Sequence, residues 1–220
     1  MCGRFTLSVS NKPHLASLGL QARDRFNIAP QSNVLMRRES GSVALERWGL
    51  TKSVSGQDKL VSNARLETLD AKRLFRDLAP CVLLADGWYE WQRVGSGKQP
   101  WYHHCHGGAL SMAGVYEPDQ GCVIVTREAA APLTRIHHRQ PLLLNDDQVQ
   151  AWLDDRLVDM TLPQPQIAFH PVSRRVGDAR QDDPALIAPV SLYAEKTGQP
   201  LYCRAAKGRL GKAETRPETG

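Results

Sequence analysis

The chain has 220 residues, 41% of them hydrophobic, and a formal net charge of +5. That length suits one domain with a real core. No apolar run approaches the ~20 residues of a membrane-spanning helix, and the first residues lack the continuous apolar stretch of a secretion signal. Residues 204–220 hold Arg204, Lys207, Arg209, Lys212 and Arg216 against Glu214 and Glu218, so most of the excess charge lies in the tail. Bulk basicity is therefore a weak argument for a nucleic-acid partner. The cysteines at 2, 81, 105, 122 and 203 are odd in number and form no C-x-x-C. This argues against a disulfide framework and for a reducing, cytoplasmic setting.

The chain opens Met1-Cys2-Gly3-Arg4-Phe5. Methionine is trimmed when a small residue follows it, and Cys2 would then carry a free α-amine beside its thiol. An α-amine titrates at about 8 against about 10.4 for lysine, so a useful fraction is nucleophilic at neutral pH. Such a 1,2-aminothiol condenses with an aldehyde: the amine forms a Schiff base and the sulfur closes a five-membered thiazolidine. By position alone, Cys2 is simply the residue after the start.

A short helix is expected over residues 12–20, capped by Asn11, then strands over 34–37 and 43–48. Leu66, Leu69, Phe75 and Leu78 have helical spacing and predict a helix over 67–78. Strands follow at 81–85, 87–92, 101–104, 110–116 and 122–126, with a glycine-rich hairpin turn inside 90–101. Pro132 opens a short helix over 131–137, and a strand is expected at 141–144. The clearest helix is 146–156, with Asn145 as cap and Val149, Trp152 and Leu153 facing inward. A last strand covers 167–171. There is no internal repeat and no alternating βαβ pattern. The expected fold is α+β, a mainly antiparallel, barrel-like β core with inserted short helices. One catalytic domain is expected over 2–203, followed by a basic, disordered tail over 204–220.

Three groups offer chemistry. Glu90 lies in Ala85-Asp86-Gly87-Trp88-Tyr89-Glu90-Trp91, where strand alternation puts it on one face with Trp88 and sets Tyr89 and Trp91 on the other. A carboxylate beside a large ring is poorly hydrated and titrates high, in the range useful for proton transfer; the plain alternative is a surface glutamate. His137, in a basic loop before an apolar strand, is a natural proton shuttle, or else part of a solvated turn. Asn63, Arg65 and Arg73 offer amide and guanidinium donors suited to phosphate and sugar oxygens, or else a solvated helix face. Trp101-Tyr102-His103-His104-Cys105-His106 is rich in metal-binding types, but neighbours on a strand point to opposite faces and no second ligand pair has zinc spacing. No metal and no cofactor is expected.

Several segments occur together in one order: Cys2-Gly3-Arg4-Phe5, Phe26-Asn27-Ile28-Ala29-Pro30, Arg47-Trp48-Gly49-Leu50, Asn63-Ala64-Arg65-Leu66-Glu67-Thr68, Ala85-Asp86-Gly87-Trp88-Tyr89-Glu90-Trp91, Ile136-His137-His138-Arg139-Gln140-Pro141 and His170-Pro171-Val172-Ser173. With these, the chain resembles the SRAP family, the SOS-response-associated peptidases or abasic-site processing proteins. The resemblance implies a protein that crosslinks through Cys2 to the open-chain sugar of abasic sites in single-stranded DNA. It also implies an autoprotease activity that exposes Cys2. Glu90 would orient the amine and shuttle protons, His137 would act on the sugar oxygen, and Asn63 would fix the nucleotide. Arg4, Asn27, Pro30, Arg65 and Arg73 would line the DNA path. A monomer acting in the cytoplasm, on the nucleoid during DNA damage, is implied, with no membrane partner. The chain departs from the family in two places. Thr51-Lys52-Ser53-Val54 stands where a proline and tryptophans usually wedge against bases, and His138 and Gln140 replace a usual aspartate and a usual arginine or methionine. Two other readings remain: an N-terminal-cysteine peptidase or amidase acting on peptides, and a non-catalytic single-strand DNA-binding module.

Overall fold

The computed structural model describes residues 2–10, 12–17, 23–54, 57–106, 109–160 and 165–192. One compact unit spans residues 1–190. The tail over 204–220, Cys203 and the expected cap Asn11 lie outside the described residues. The chain begins with β1 (Arg4–Leu7), α1 (Pro13–Ala16), β2 (Arg25–Ile28), β3 (Asn33–Arg38) and β4 (Val43–Arg47). A ribbon of β5 (Leu50–Val54) and β6 (Gln57–Val61) leads to β7 (Asn63–Arg65), α2 (Arg73–Arg76) and β8 (Ala79–Ala85). Then come β9 (Gly87–Val94), β10 (Gly97–Cys105), β11 (Leu110–Glu117) and β12 (Gly121–Glu128). The chain closes with β13 (Arg139–Pro141), β14 (Leu143–Leu144), α3 (Asp146–Asp155) and β15 (Ile167–Pro171).

The strands form two sheets. One has the order β15-β10-β9-β1-β2; the other runs β13-β12-β11-β8-β3-β4, with β14 on β11 and β7 on β12. Of the ladders among the described residues, β7–β12 alone is parallel. The architecture is therefore a mostly antiparallel α+β fold with few short helices. The expected barrel-like closure is not found among the described pairings, which leave two separate sheets and a ribbon.

Alternation along the strands builds three apolar layers. Phe5, Leu7, Ile28 and Trp88 of the first sheet meet Met36, Cys81, Leu83, Met112 and Ile124 of the second in the central core. The other face of the second sheet, with Val82, Ala113, Val115, Val123 and Val125, packs on Val149, Trp152 and Leu153 of α3. The outer face of the first sheet, with Tyr89 and Tyr102, is covered by Val176 and Leu186. Those two residues belong to a strap that carries 3-10 turns at Arg174–Gly177 and Pro184–Ile187.

α3 forms as its sequence dictates. The Asn145 side chain accepts from the Gln148 N–H, and Gln148 returns a bond to the Asn145 N–H, a reciprocal cap that satisfies two orphan donors. The Trp152 indole donates to the Cys81 and Gly114 carbonyls. The helix expected over 67–78 does not form as one piece. It is a 3-10 turn, Leu66–Thr68, and the four-residue α2. Neither start has a side-chain cap, and the Arg156 guanidinium reaches Asp70 and the Phe75 carbonyl at its end. Leu69, Phe75 and Leu78 still face the core, so the apolar spacing recorded burial and not a continuous helix. The helix expected over 131–137 is only a 3-10 turn, Leu133–Arg135. Of the helix expected over 12–20, α1 covers Pro13–Ala16, and residues 18–20 lie outside the described set.

Candidate active site

The two sheets meet at Cys2. β1 pairs with β9 through Arg4–Tyr89, Phe5–Trp88 and Thr6–Gly87, so Glu90 is the next residue along β9 after Arg4 finds its partner. Glu90 shares the inner face with Trp88, while Tyr89 and Trp91 pack on the strap side; the alternation read from the sequence holds. From the second sheet, β7 lies parallel to β12 with Asn63 beside Ile124, and its side-chain N–H donates to the Cys2 carbonyl at 2.9 Å. The loop between β12 and β13 brings His137, whose Nδ1 is 3.9 Å from Glu90 Oε2. Cys2, Asn63, Glu90 and His137, far apart in sequence, thus stand together at the junction.

Burial sets the electrostatics. Cys2 is 0% exposed, and its Sγ points at the Arg4 carbonyl, 3.7 Å away. Burial, then the Glu90 charge, pushes the thiol well above its ordinary range, so the sulfur rests protonated. Burial likewise raises Glu90 to about 7, although the positive amino terminus pulls the other way. The carboxyl is therefore poised to give and take a proton near neutrality. The half-buried His137 is pushed below its usual value, first by burial and then by the amino-terminal charge. The Arg139 N–H donates to His137 Nδ1 at 3.0 Å, and the Arg139 carbonyl lies 3.2 Å from the same nitrogen. His138 lies against it, with ring centroids 4.4 Å apart.

The residues expected along a DNA path part company. Arg65 is exposed on β7, beside Asn63. Arg73 is exposed too, but on α2, where it lines a separate groove of about 820 Å³ with Lys52, Lys72 and Glu117. Pro30 is half-buried in the bend after β2. Arg4 turns to the strap: its Nη1 donates to Asn27 Oδ1 at 3.1 Å and to the Val176 carbonyl at 2.7 Å. Asn27 is 0% exposed, and its Nδ2 donates to the carbonyls of Val176, Asp178 and Gln181. In this position it anchors Arg4 and the strap behind the Cys2 end of β1.

Three positioning contacts escaped the sequence. The Trp48 indole donates to the Ser62 carbonyl at 2.9 Å and its ring packs on Phe5 at 5.1 Å, linking β1 to the residue before Asn63. Gln92 bridges the Trp101 indole to the Arg135 carbonyl, tying β9 and β10 to the His137 loop. Arg139, read as part of a solvated basic turn, is 6% exposed and bound to Glu67. Only an opposite charge in a distant matched segment could have hinted at that pair. The histidine-rich strand behaves as its alternation requires: His103 stacks on Trp88 and Phe169 inside, and His104 stacks on Tyr102 outside. Among the described residues no three His, Cys, Asp or Glu side chains are grouped to hold a metal, and no helix is long and apolar enough to cross a membrane.

The chain is 31% identical to the abasic site processing protein YedK of Escherichia coli, over 86% of this chain and all of that one. It is 31% identical to the abasic site processing protein HMCES of Gallus gallus, over 79% of this chain and 68% of the relative. A phage-related protein of Bordetella bronchiseptica has a similar solved structure, with a TM-score of 0.62 and 26% identity over 79% of this chain and 95% of that one. A protein of Bacteroides thetaiotaomicron shares the fold at a TM-score of 0.66 and 17% identity, over 86% of this chain and 100% of that one. The model of the SOS response associated peptidase (SRAP) family matches residues 1–179, and the chain belongs to that family.

Proposed function

We propose that the protein processes abasic sites in DNA by forming a covalent thiazolidine between Cys2 and the open-chain sugar. The observation that carries this reading is the convergence of Asn63, Glu90 and His137 on Cys2. Once Met1 is removed, by an aminopeptidase or by self-cleavage, the α-amine of Cys2 adds to the aldehyde carbon to give a carbinolamine. Glu90 takes the amine's proton and returns one to the departing hydroxyl, and water leaves. The Cys2 S–H then adds across the C=N bond, sulfur to carbon and proton to nitrogen, so the net loss is one water. The order follows from burial: the protonated thiol waits, and the amine acts first. Sulfur capture removes the iminium that would otherwise drive β-elimination and strand cleavage, which is what an N-terminal cysteine supplies and a lysine does not.

His137 would hydrogen-bond the sugar ring oxygen through its Nε2–H and steady it as the ring opens and the proton of the anomeric hydroxyl passes to that oxygen. Asn63, fixed on the Cys2 carbonyl, would set the nucleotide beside the nucleophile. Arg65, exposed beside Asn63 on β7, would meet a neighbouring phosphate. Arg73, in the groove with Lys52 and Lys72, would act on a flanking segment. An abasic nucleotide has no base to unstack, so entry costs little, and single-stranded DNA offers the most open access. Backbone contacts should make binding sequence-tolerant and strongly salt-dependent. The test is incubation with a single-stranded oligonucleotide bearing one abasic site, then a denaturing gel. A heat-stable shifted band that vanishes in Cys2→Ala is expected. A complex that dissociates on denaturation would leave a non-covalent binding module, and peptide cleavage without a DNA band would favour a peptidase.

A further inference from the structure

Resting on that function, we infer that Glu67 and Arg139 are positioning residues, a clamp that holds His137 in one tautomer and ties it to the strand carrying Asn63. Arg139 Nη1 donates to Glu67 Oε1 at 2.8 Å and Nη2 to Glu67 Oε2 at 2.9 Å. This fork-to-fork pair fixes orientation as well as distance. Nη2 also donates to the Thr126 carbonyl at 2.6 Å, and the Thr126 hydroxyl donates to the Ala64 carbonyl at 3.0 Å. Ala64 follows Asn63, and Glu67 stands three residues further on. The side chain of Arg139 is therefore fastened at both ends to the segment that positions Asn63.

The main chain of the same residue faces the other way. Its N–H donates to His137 Nδ1 at 3.0 Å, while its carbonyl lies 3.2 Å from the same nitrogen. These contacts exclude one another, because a protonated Nδ1 would confront the Arg139 N–H. The peptide N–H keeps its hydrogen in either tautomer, so while the guanidinium anchor holds this backbone in place a protonated Nδ1 is disfavoured and the hydrogen lies on Nε2. Without it, the peptide and the ring can adjust together and both tautomers become accessible. Arg139 holds Glu67 below the usual carboxylate range, so the clamp stays ionised across neutral pH. Arg139 touches no reacting atom; it acts through His137.

The test combines nitrogen NMR of the His137 ring with single-turnover crosslinking over a range of abasic DNA concentrations. In the unaltered protein Nδ1 should show the shift of an unprotonated nitrogen. Glu67→Gln, at a half-exposed position that tolerates change, should move that shift toward a tautomer mixture. It should also lower the maximal crosslinking rate about threefold, less than removal of His137 itself, as loosened positioning does, with the half-saturating DNA concentration within about twofold. Glu67→Asp should recover part of the rate, and Arg139→Lys, which keeps the charge but loses the fork, should resemble Glu67→Gln. A protonated Nδ1 in the unaltered protein, or shifts and rate that ignore Glu67→Gln, would overturn the clamp. So would a loss confined to the half-saturating concentration and its salt dependence, which would make Arg139 a phosphate contact. If the unaltered protein forms no adduct, the functional reading falls, and the ring shifts alone decide the clamp.

Discussion

Glu90 and His103 occupy the same inner face of neighbouring strands, with Trp101 opposite Glu90 and Trp88 opposite His103. Burial is the largest influence on both and drives each toward its neutral form: Glu90 rises to about 7 and His103 falls to about 3. Their settings differ. His103 is sealed between Trp88 and Phe169, where nothing that reacts can reach it. Glu90 stands at the sheet junction, 3.9 Å from a half-buried imidazole and close enough to Cys2 to shift its thiol. A perturbed titration therefore marks a working group only when geometry gives it a partner and an opening.

Substitutions at the two positions should behave very differently. Glu90→Gln should slow crosslinking about a hundredfold, the usual scale of a lost proton shuttle, while DNA binding changes little; equal losses in both would make Glu90 a binding residue. The same variant has a stability signature of defined sign. Because the folded-state value of Glu90 lies above the unfolded one, its protonation favours the native state below pH 4.5, and that contribution is lost as pH rises toward 7. Glu90→Gln should thus gain stability relative to the unaltered protein across that window, by about 3 kcal/mol at the upper end. Denaturant titrations at several pH values would show it, and a constant difference would deny the shift.

His137→Ala should cost less, about tenfold in crosslinking rate, since Glu90 can still serve the amine. A rate unchanged by the substitution would remove His137 from the chemistry. On the outer face, Asn27→Ala should lower stability by about 2 kcal/mol by orphaning strap carbonyls and one Arg4 bond. Melting should report it, with crosslinking weakened only through looser β1; lost DNA affinity at full stability would make Asn27 a contact.

The smallest effect is expected at His103→Leu, whose crosslinking should stay within about twofold of the unaltered rate. Held neutral by burial, His103 stabilises the fold fully above pH 6.5 and loses that contribution as pH falls toward 3. The variant should flatten the acid limb of the stability curve, and a large crosslinking defect would show that the sealed histidine is not idle.

Much of this was legible in the sequence, and the gaps have physical causes. Strands rich in β-branched or aromatic residues and bounded by turn formers, β3, β4, β8 to β12 and β15, stood out, as did the capped helix α3. The strands that carry Cys2's neighbour Arg4 and Asn63 did not: β1 and β7 have four and three residues, too short to show a period. They are strands because the ladders of β9, β2 and β12 complete them. Cys2, Glu90 and His137 could be nominated from chemistry, but their meeting is a product of sheet topology. Arg4, Asn27 and Arg139 are polar residues that sequence reasoning sends to the surface, and the fold turns them inward to ion pairs and carbonyls.

The central claim is tested most directly by the intact mass of the adduct formed by the full chain on abasic single-stranded DNA. The account predicts a species lacking Met1, equal to protein plus oligonucleotide less one water, with the linkage mapped to the amino-terminal peptide. A covalent adduct formed by protein that retains Met1, or one mapped to a lysine, would contradict it.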